Sequence, residues 1–199
     1  MATSASRPDG FTASRQMDGN APARAKRYRT NGSNAGRIFK GDPVSLISGE
    51  IQPVTGGVSA QSAPILGVVS HVTNSDDRPF THTPTANFIE TSSVGFAYVY
   101  DDPGTIFTIQ GNASVGPSNI GQFATVSAGS PTTAVGRSGK TLDVTNAVST
   151  AAGHPFQIIG VSDLETDRLG GTNNKVEVRI SNHWWNRRID VPGPFDEGG

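Results

Sequence analysis

The sequence predicts an all-β chain: a single antiparallel β-barrel or β-sandwich with an extended N-terminal arm. Three observations carry that prediction. Val and Ile together number 29 against 5 Leu, and β-branched side chains are stiff and fit a pleated surface. The 24 Gly and 13 Pro are spread along the chain and divide it into short pieces. No stretch repeats apolar residues at helical spacing for more than two turns. The pattern is therefore many short strands joined by turns, and about eight to ten of them fit one sandwich or barrel.

The elements follow in order. Arg37-Ile-Phe-Lys40 and Val44-Ser-Leu-Ile47 read as strands around Gly41-Asp-Pro43, with a turn at Ser48-Gly-Glu50. The run from Pro64 to Val72 is almost continuously apolar, the pattern of a strand buried on both faces. Residues 73–87 are polar and read as a surface loop. Val94–Tyr100 and Thr105–Gln110 read as a hairpin across Asp101-Asp-Pro-Gly104, because Pro presets φ and Gly accepts positive φ. Phe96, Tyr98 and Tyr100 then share one face of the first strand. Further strands are expected at residues 122–126, 141–144, 156–162 and 175–181. The last alternates cleanly, with Val176, Val178 and Ile180 inward and Lys175, Glu177 and Arg179 outward. Residues 129–139 read as a long turn and 170–174 as a short one.

Charge divides the chain. Residues 1–40 hold eight basic and two acidic groups, and residues 41–199 hold eight basic and fifteen acidic ones, so a formal charge of −1 conceals a polarised sequence. The expected organisation is a basic arm over residues 1–36, a β-rich body over 37–185 and a tail over 186–199. The arm has little to bury. It reads as a solubilising tail, as a docking arm on an acidic surface through Arg24, Lys26, Arg27 and Arg29, or as a nucleic-acid-binding tail. Against the last, only Tyr28 and Phe11 are available for stacking, so nucleic acid is not the expected partner. No apolar run approaches the ~20 residues that span a bilayer, no membrane partner is expected, and the N-terminus lacks an apolar signal-peptide core.

The chemistry-bearing motifs are sparse. Cys is absent, which excludes disulfides, thiolate catalysis and Cys-ligated metal. Ala134-Val-Gly-Arg-Ser-Gly-Lys-Thr141 fits a relaxed phosphate-loop pattern. A turn precedes it and a strand follows, where such a loop needs a strand before and a helix after, so it reads as a polar loop. His71, His82, His154 and His183 are dispersed, and a metal site would need ligands from several strands. The pairs Asp76-Asp77 and Asp101-Asp102 read as turn residues, because adjacent carboxylates point apart. No Gly-x-Ser-x-Gly elbow is present. The only two Trp, Trp184 and Trp185, end the last confident strand and are followed by Arg187-Arg188. Successive strand residues face opposite sides, so at most one Trp enters the core and the other is exposed or covered by a subunit or partner.

Several stretches together resemble the head decoration, or capsid cement, proteins of tailed phages. They are Gly41-Asp-Pro-Val44, Ile65-Leu-Gly-Val68, Tyr100-Asp-Asp-Pro103 with Phe107-Thr-Ile-Gln110, and Phe156-Gln-Ile-Ile-Gly-Val161. Lys175-Val-Glu-Val-Arg-Ile180 with His183 completes the set. The likeness spans roughly residues 37–185. It implies a small β-barrel or β-sandwich on the outer capsid surface of a virion, usually trimeric, that clamps neighbouring capsid subunits. The partner would be the major capsid protein. The expectation is a structural virion protein that is no enzyme and carries neither cofactor nor metal. The alternatives are a phage tail, baseplate or receptor-binding β module, with Tyr98, Tyr100 and Trp184 as a sugar platform, and a metal-dependent β-barrel enzyme of cupin type.

Overall fold

The computed structural model describes residues 6, 8–22, 24–32, 34–54, 64–80, 88–162 and 169–186. Their regular structure is thirteen strands and three short 3-10 turns. The strands are β1 (Thr12–Gln16), β2 (Lys26–Asn31), β3 (Ile38–Phe39), β4 (Pro43–Ile47), β5 (Glu50–Pro53), β6 (Ile65–Thr73) and β7 (Phe88–Ile89). There follow β8 (Val94–Tyr100), β9 (Thr105–Gln110), β10 (Phe123–Ser127), β11 (Thr141–Val148), β12 (Phe156–Val161) and β13 (Lys175–Ile180).

The strands form two main antiparallel sheets packed as a sandwich. One has six strands in the order β1-β9-β13-β12-β10-β11, the other five in the order β2-β8-β6-β4-β5, and β3 pairs with β7 alone. Both main sheets curl. Gly111, just after β9, bridges Leu142 of β11, and the edges β2 and β5 come into contact without forming a ladder. Among the described residues neither sheet closes into a barrel.

The sandwich has two cores because β6 is apolar on both faces. Ile65 and Val68 pack with Phe11, Phe107, Phe156, Val176 and Val178 between the main sheets. Leu66, Val69 and Val72 pack with Val44, Ile51, Ala97, Val99, Ile38 and Ile89 on the other side. The expectation of a doubly buried strand therefore holds. The alternation of β13 holds too: Val176, Val178 and Ile180 are buried, while Lys175, Glu177 and Arg179 are only partly so.

Two expectations are corrected. The stretches on either side of Asp101-Asp-Pro-Gly104 are strands, but they do not pair as a hairpin. β8 lies between β2 and β6, whereas β9 lies between β1 and β13. The turn chemistry is real: Thr105 N–H donates to the Asp102 carbonyl at 3.1 Å and Gly104 N–H to the Asp102 carboxylate at 2.7 Å. Asp101, only 2% exposed, is anchored at the second sheet by Lys26 and Tyr28, and the chain crosses there to the first. Alternation fixes which face of a strand is buried, not which strand it joins.

The second correction concerns the N-terminal segment, which is extended but not separate from the body. β1 pairs with β9 in one sheet, and β2 pairs with β8 along its whole length in the other. Phe11 is 3% exposed, with its ring 4.7 Å from that of Phe156. The segment looked coreless because edge strands bury one face, and the inner positions of β2 are polar or amphipathic. Thr30, for example, is fully buried with its hydroxyl donating to the Ser93 carbonyl at 2.9 Å.

Gly10 and Gly41 fix the crossing that ties this segment in. Both have positive φ, and a Cβ on Gly10 would lie 2.6 Å from the Gly41 carbonyl oxygen. Phe11 N–H donates to the Gly41 carbonyl at 2.9 Å, and Gly41 N–H donates to the Val69 carbonyl at 2.8 Å. One point thus joins the N-terminal segment, β6 and the interior between the sheets.

Candidate functional site

The basic residues singled out from sequence lie on or just before β2. Strand alternation sends Lys26 and Tyr28 toward Asp101, and Arg27 and Arg29 to the opposite face. Lys26 Nζ lies 3.0 Å from Asp101 Oδ2, and the Tyr28 hydroxyl donates to the same oxygen at 2.6 Å. Burial, and then the hydrogen bond to Asp101, pushes the Tyr28 hydroxyl well above its ordinary value of 10. Lys26 is therefore already paired within the chain.

Arg27 is paired as well. Its Nη1 donates to Asp77 Oδ2 at 2.7 Å, and its guanidinium lies 4.9 Å from the centre of the Phe96 ring. Asp77 sits at φ 58° in the turn after β6 and also accepts from Thr73 Oγ1 at 2.8 Å and from the Tyr98 hydroxyl at 3.0 Å. The Arg27 hydrogen bond leads the causes that hold the Asp77 carboxyl below its usual range. His71 stacks on Tyr98 with centroids 4.1 Å apart and planes 12° apart. The outer face of the five-stranded sheet therefore carries an ordered patch of Arg27, Phe96, Tyr98 and His71. Arg24 and Arg29 are exposed and make no ion pair among the described residues. Sequence reasoning singled out these cations but missed the partners of Lys26 and Arg27, which come from β8, from Asp101 just after it and from the turn after β6.

At most one tryptophan reaches a core, as expected, but from a 3-10 turn (Trp184–Asn186) rather than from a strand. Trp184 packs against the second core and Trp185 is 55% exposed. Arg187 and Arg188 lie outside the described residues. Trp184 does not share a face with Tyr98 and Tyr100: Tyr100 packs against the core between the sheets and Trp184 against the other. A single sugar platform of these three rings is therefore not formed.

The polar-loop reading of Ala134-Val-Gly-Arg-Ser-Gly-Lys-Thr141 fits the geometry. The segment runs from a 3-10 turn into β11. Lys140 Nζ binds Asp42 Oδ1 at 3.0 Å, and Ser138 N–H donates to the Lys40 carbonyl at 2.9 Å. The groups a phosphate would need are engaged within the chain. Of the four histidines, His82 lies outside the described residues. His71 stacks on Tyr98, and His154 Nδ1 lies 2.8 Å from the Ala152 carbonyl. His183 is 1% exposed, with its Nδ1 accepting from Trp185 N–H at 3.2 Å. Among the described residues no three His, Asp or Glu side chains gather in a metal-binding arrangement.

No family model, no curated protein and no solved structure matches this chain. The geometry itself is what bears on function. It offers a cationic and aromatic surface built on β2, β6 and β8, and one exposed tryptophan, Trp185, in the last described turn. Among the described residues no helix is long and apolar enough to cross a membrane.

Proposed function

We propose that this chain is a structural virion protein that binds the outer surface of a capsid and stabilises the shell by bridging its subunits. The observation that carries this reading is the pair Arg24 and Arg29. Both are exposed, lack ion-pair partners among the described residues, and stand beside cations already neutralised by Asp77 and Asp101. A surface of this kind attracts an acidic partner, and many weak contacts of the same kind add up by avidity on a repeating shell. The partner is the major capsid protein. Self-association, a trimer in the favoured form, places the exposed Trp185 at a subunit contact.

Quantitative mass spectrometry of purified particles tests the reading, counting this chain against the major shell subunit. A ratio near one, or a simple fraction such as one third, is expected. A few copies per particle would instead indicate a tail, baseplate or receptor-binding component. Absence from particles overturns the virion reading.

A further inference from the structure

Lys40 and Arg137 face each other across an isolated parallel bridge. Like charges placed directly opposite one another repel. One carboxylate answers them: Asp9 lies 3.3 Å from Arg137, with both side chains about half exposed at 40% and 50%. Lys40 is exposed and has no ion pair among the described residues. The two cations border a groove of about 350 Å³, whose other walls include Pro79, Phe80, Val135 and His71. Val135 is 53% exposed. Among the described residues no carboxylate lines the groove itself; Asp9 stands beside it on Arg137.

The backbone here is closed to phosphate. Lys40 N–H donates to the Gly136 carbonyl at 3.3 Å, Gly136 N–H to the Thr133 carbonyl at 3.3 Å and Arg137 N–H to the Thr132 carbonyl at 3.3 Å. No nest of free N–H groups remains to cradle an oxyanion. What remains is the Lys40 ammonium, with the Arg137–Asp9 pair beside it, next to an apolar wall.

We propose that this groove docks an acidic segment of another protein chain, its carboxylate seated on Lys40 beside the Arg137–Asp9 pair and a neighbouring apolar side chain laid on Phe80 and Val135. The charge complementarity and the apolar wall together select such a segment over a bare anion or a nucleic acid.

The test is an NMR titration of the full chain with the capped peptide acetyl-Gly-Phe-Asp-Val-Glu-Gly-amide. The readouts are the His71 ring and the Val135 methyl signals. Saturable shifts confined to the groove are expected, with affinity falling about tenfold or more in Lys40→Glu, Arg137→Glu and Val135→Asp. All three substitutions fall at exposed positions. Should a charge reversal disturb the fold, Lys40→Gln and Val135→Ser give the same reading with smaller amplitude. Three outcomes overturn the proposal: the Asn/Gln version of the peptide binding equally well, inorganic phosphate or a single-stranded oligonucleotide displacing the peptide, and no shift at millimolar peptide.

Discussion

Asp42 and Lys140 stand 98 residues apart in the chain and 3.0 Å apart in the fold, with their side chains 1% and 16% exposed. Asp42 also accepts from Phe39 N–H at 2.9 Å, and its carbonyl accepts from Val69 N–H at 2.9 Å. One carboxylate thus ties the loop before β11 to the turn between β3 and β4. Removing one partner leaves the other charge buried and unpaired. Lys140→Met is expected to cost about 3–5 kcal/mol of stability, measured by denaturant unfolding, while the double variant with Asp42→Asn recovers part of it. ATP at millimolar concentration should leave the wild-type melting temperature unchanged, since Lys140 is engaged.

Deletion of residues 1–36 is expected to prevent folding, because it removes β1, β2 and the Phe11 ring from the interior. Phe11→Ala alone should cost about 3–5 kcal/mol. A shortened chain with native circular dichroism and a cooperative melt would contradict this.

Occupancy on particles therefore has to be tested by charge reversal rather than truncation. Arg24→Glu with Arg29→Glu should leave stability within about 0.5 kcal/mol, as surface changes do, and should lower the copy number per particle. Unchanged copy number would remove these two residues from the docking surface.

Acid sensitivity should reside in His183. Burial holds its pKa below the ordinary 6.5, opposed in part by the charges of Asp101 and Asp102. Above pH 6.5 the imidazole is neutral in both folded and unfolded chains and adds no pH dependence. As pH falls below 6.5, the unfolded chain takes up a proton that the folded chain refuses, so stability declines until the folded-state pKa is reached. His71 is shifted in the same direction, by burial first and then by Lys40. Melting temperatures between pH 7 and pH 5 should fall less steeply in His183→Gln than in the wild type, and less steeply still when His71→Gln is added. Parallel curves would refute the assignment.

Trp184→Ala should destabilise the fold by removing a ring from the second core, whereas Trp185→Ala should leave stability nearly unchanged and shift the oligomer mass in solution. An unaltered mass would exclude Trp185 from a subunit contact.

By itself the sequence determined the strand class, most strand positions and the buried faces of β6 and β13. These follow from local properties: β-branched content, turn residues and a period of two. It also limited Trp184 and Trp185 to at most one in a core, and Trp184 alone packs against one, partly buried. Tertiary structure alone decided the partners. β8 and β9 flank a well-formed turn yet join different sheets, since alternation sets a face and leaves the neighbouring strand open. The N-terminal segment belongs to both sheets, although an edge strand such as β2, with Thr30 satisfied by backbone carbonyls, needs few apolar residues to be held there. Which cations remain available was likewise decided in space. Lys26, Arg27 and Lys140 meet carboxylates 75, 50 and 98 residues away, while Arg24, Arg29 and Lys40 meet none among the described residues, and Coulomb pairing depends on distance in the fold rather than along the chain.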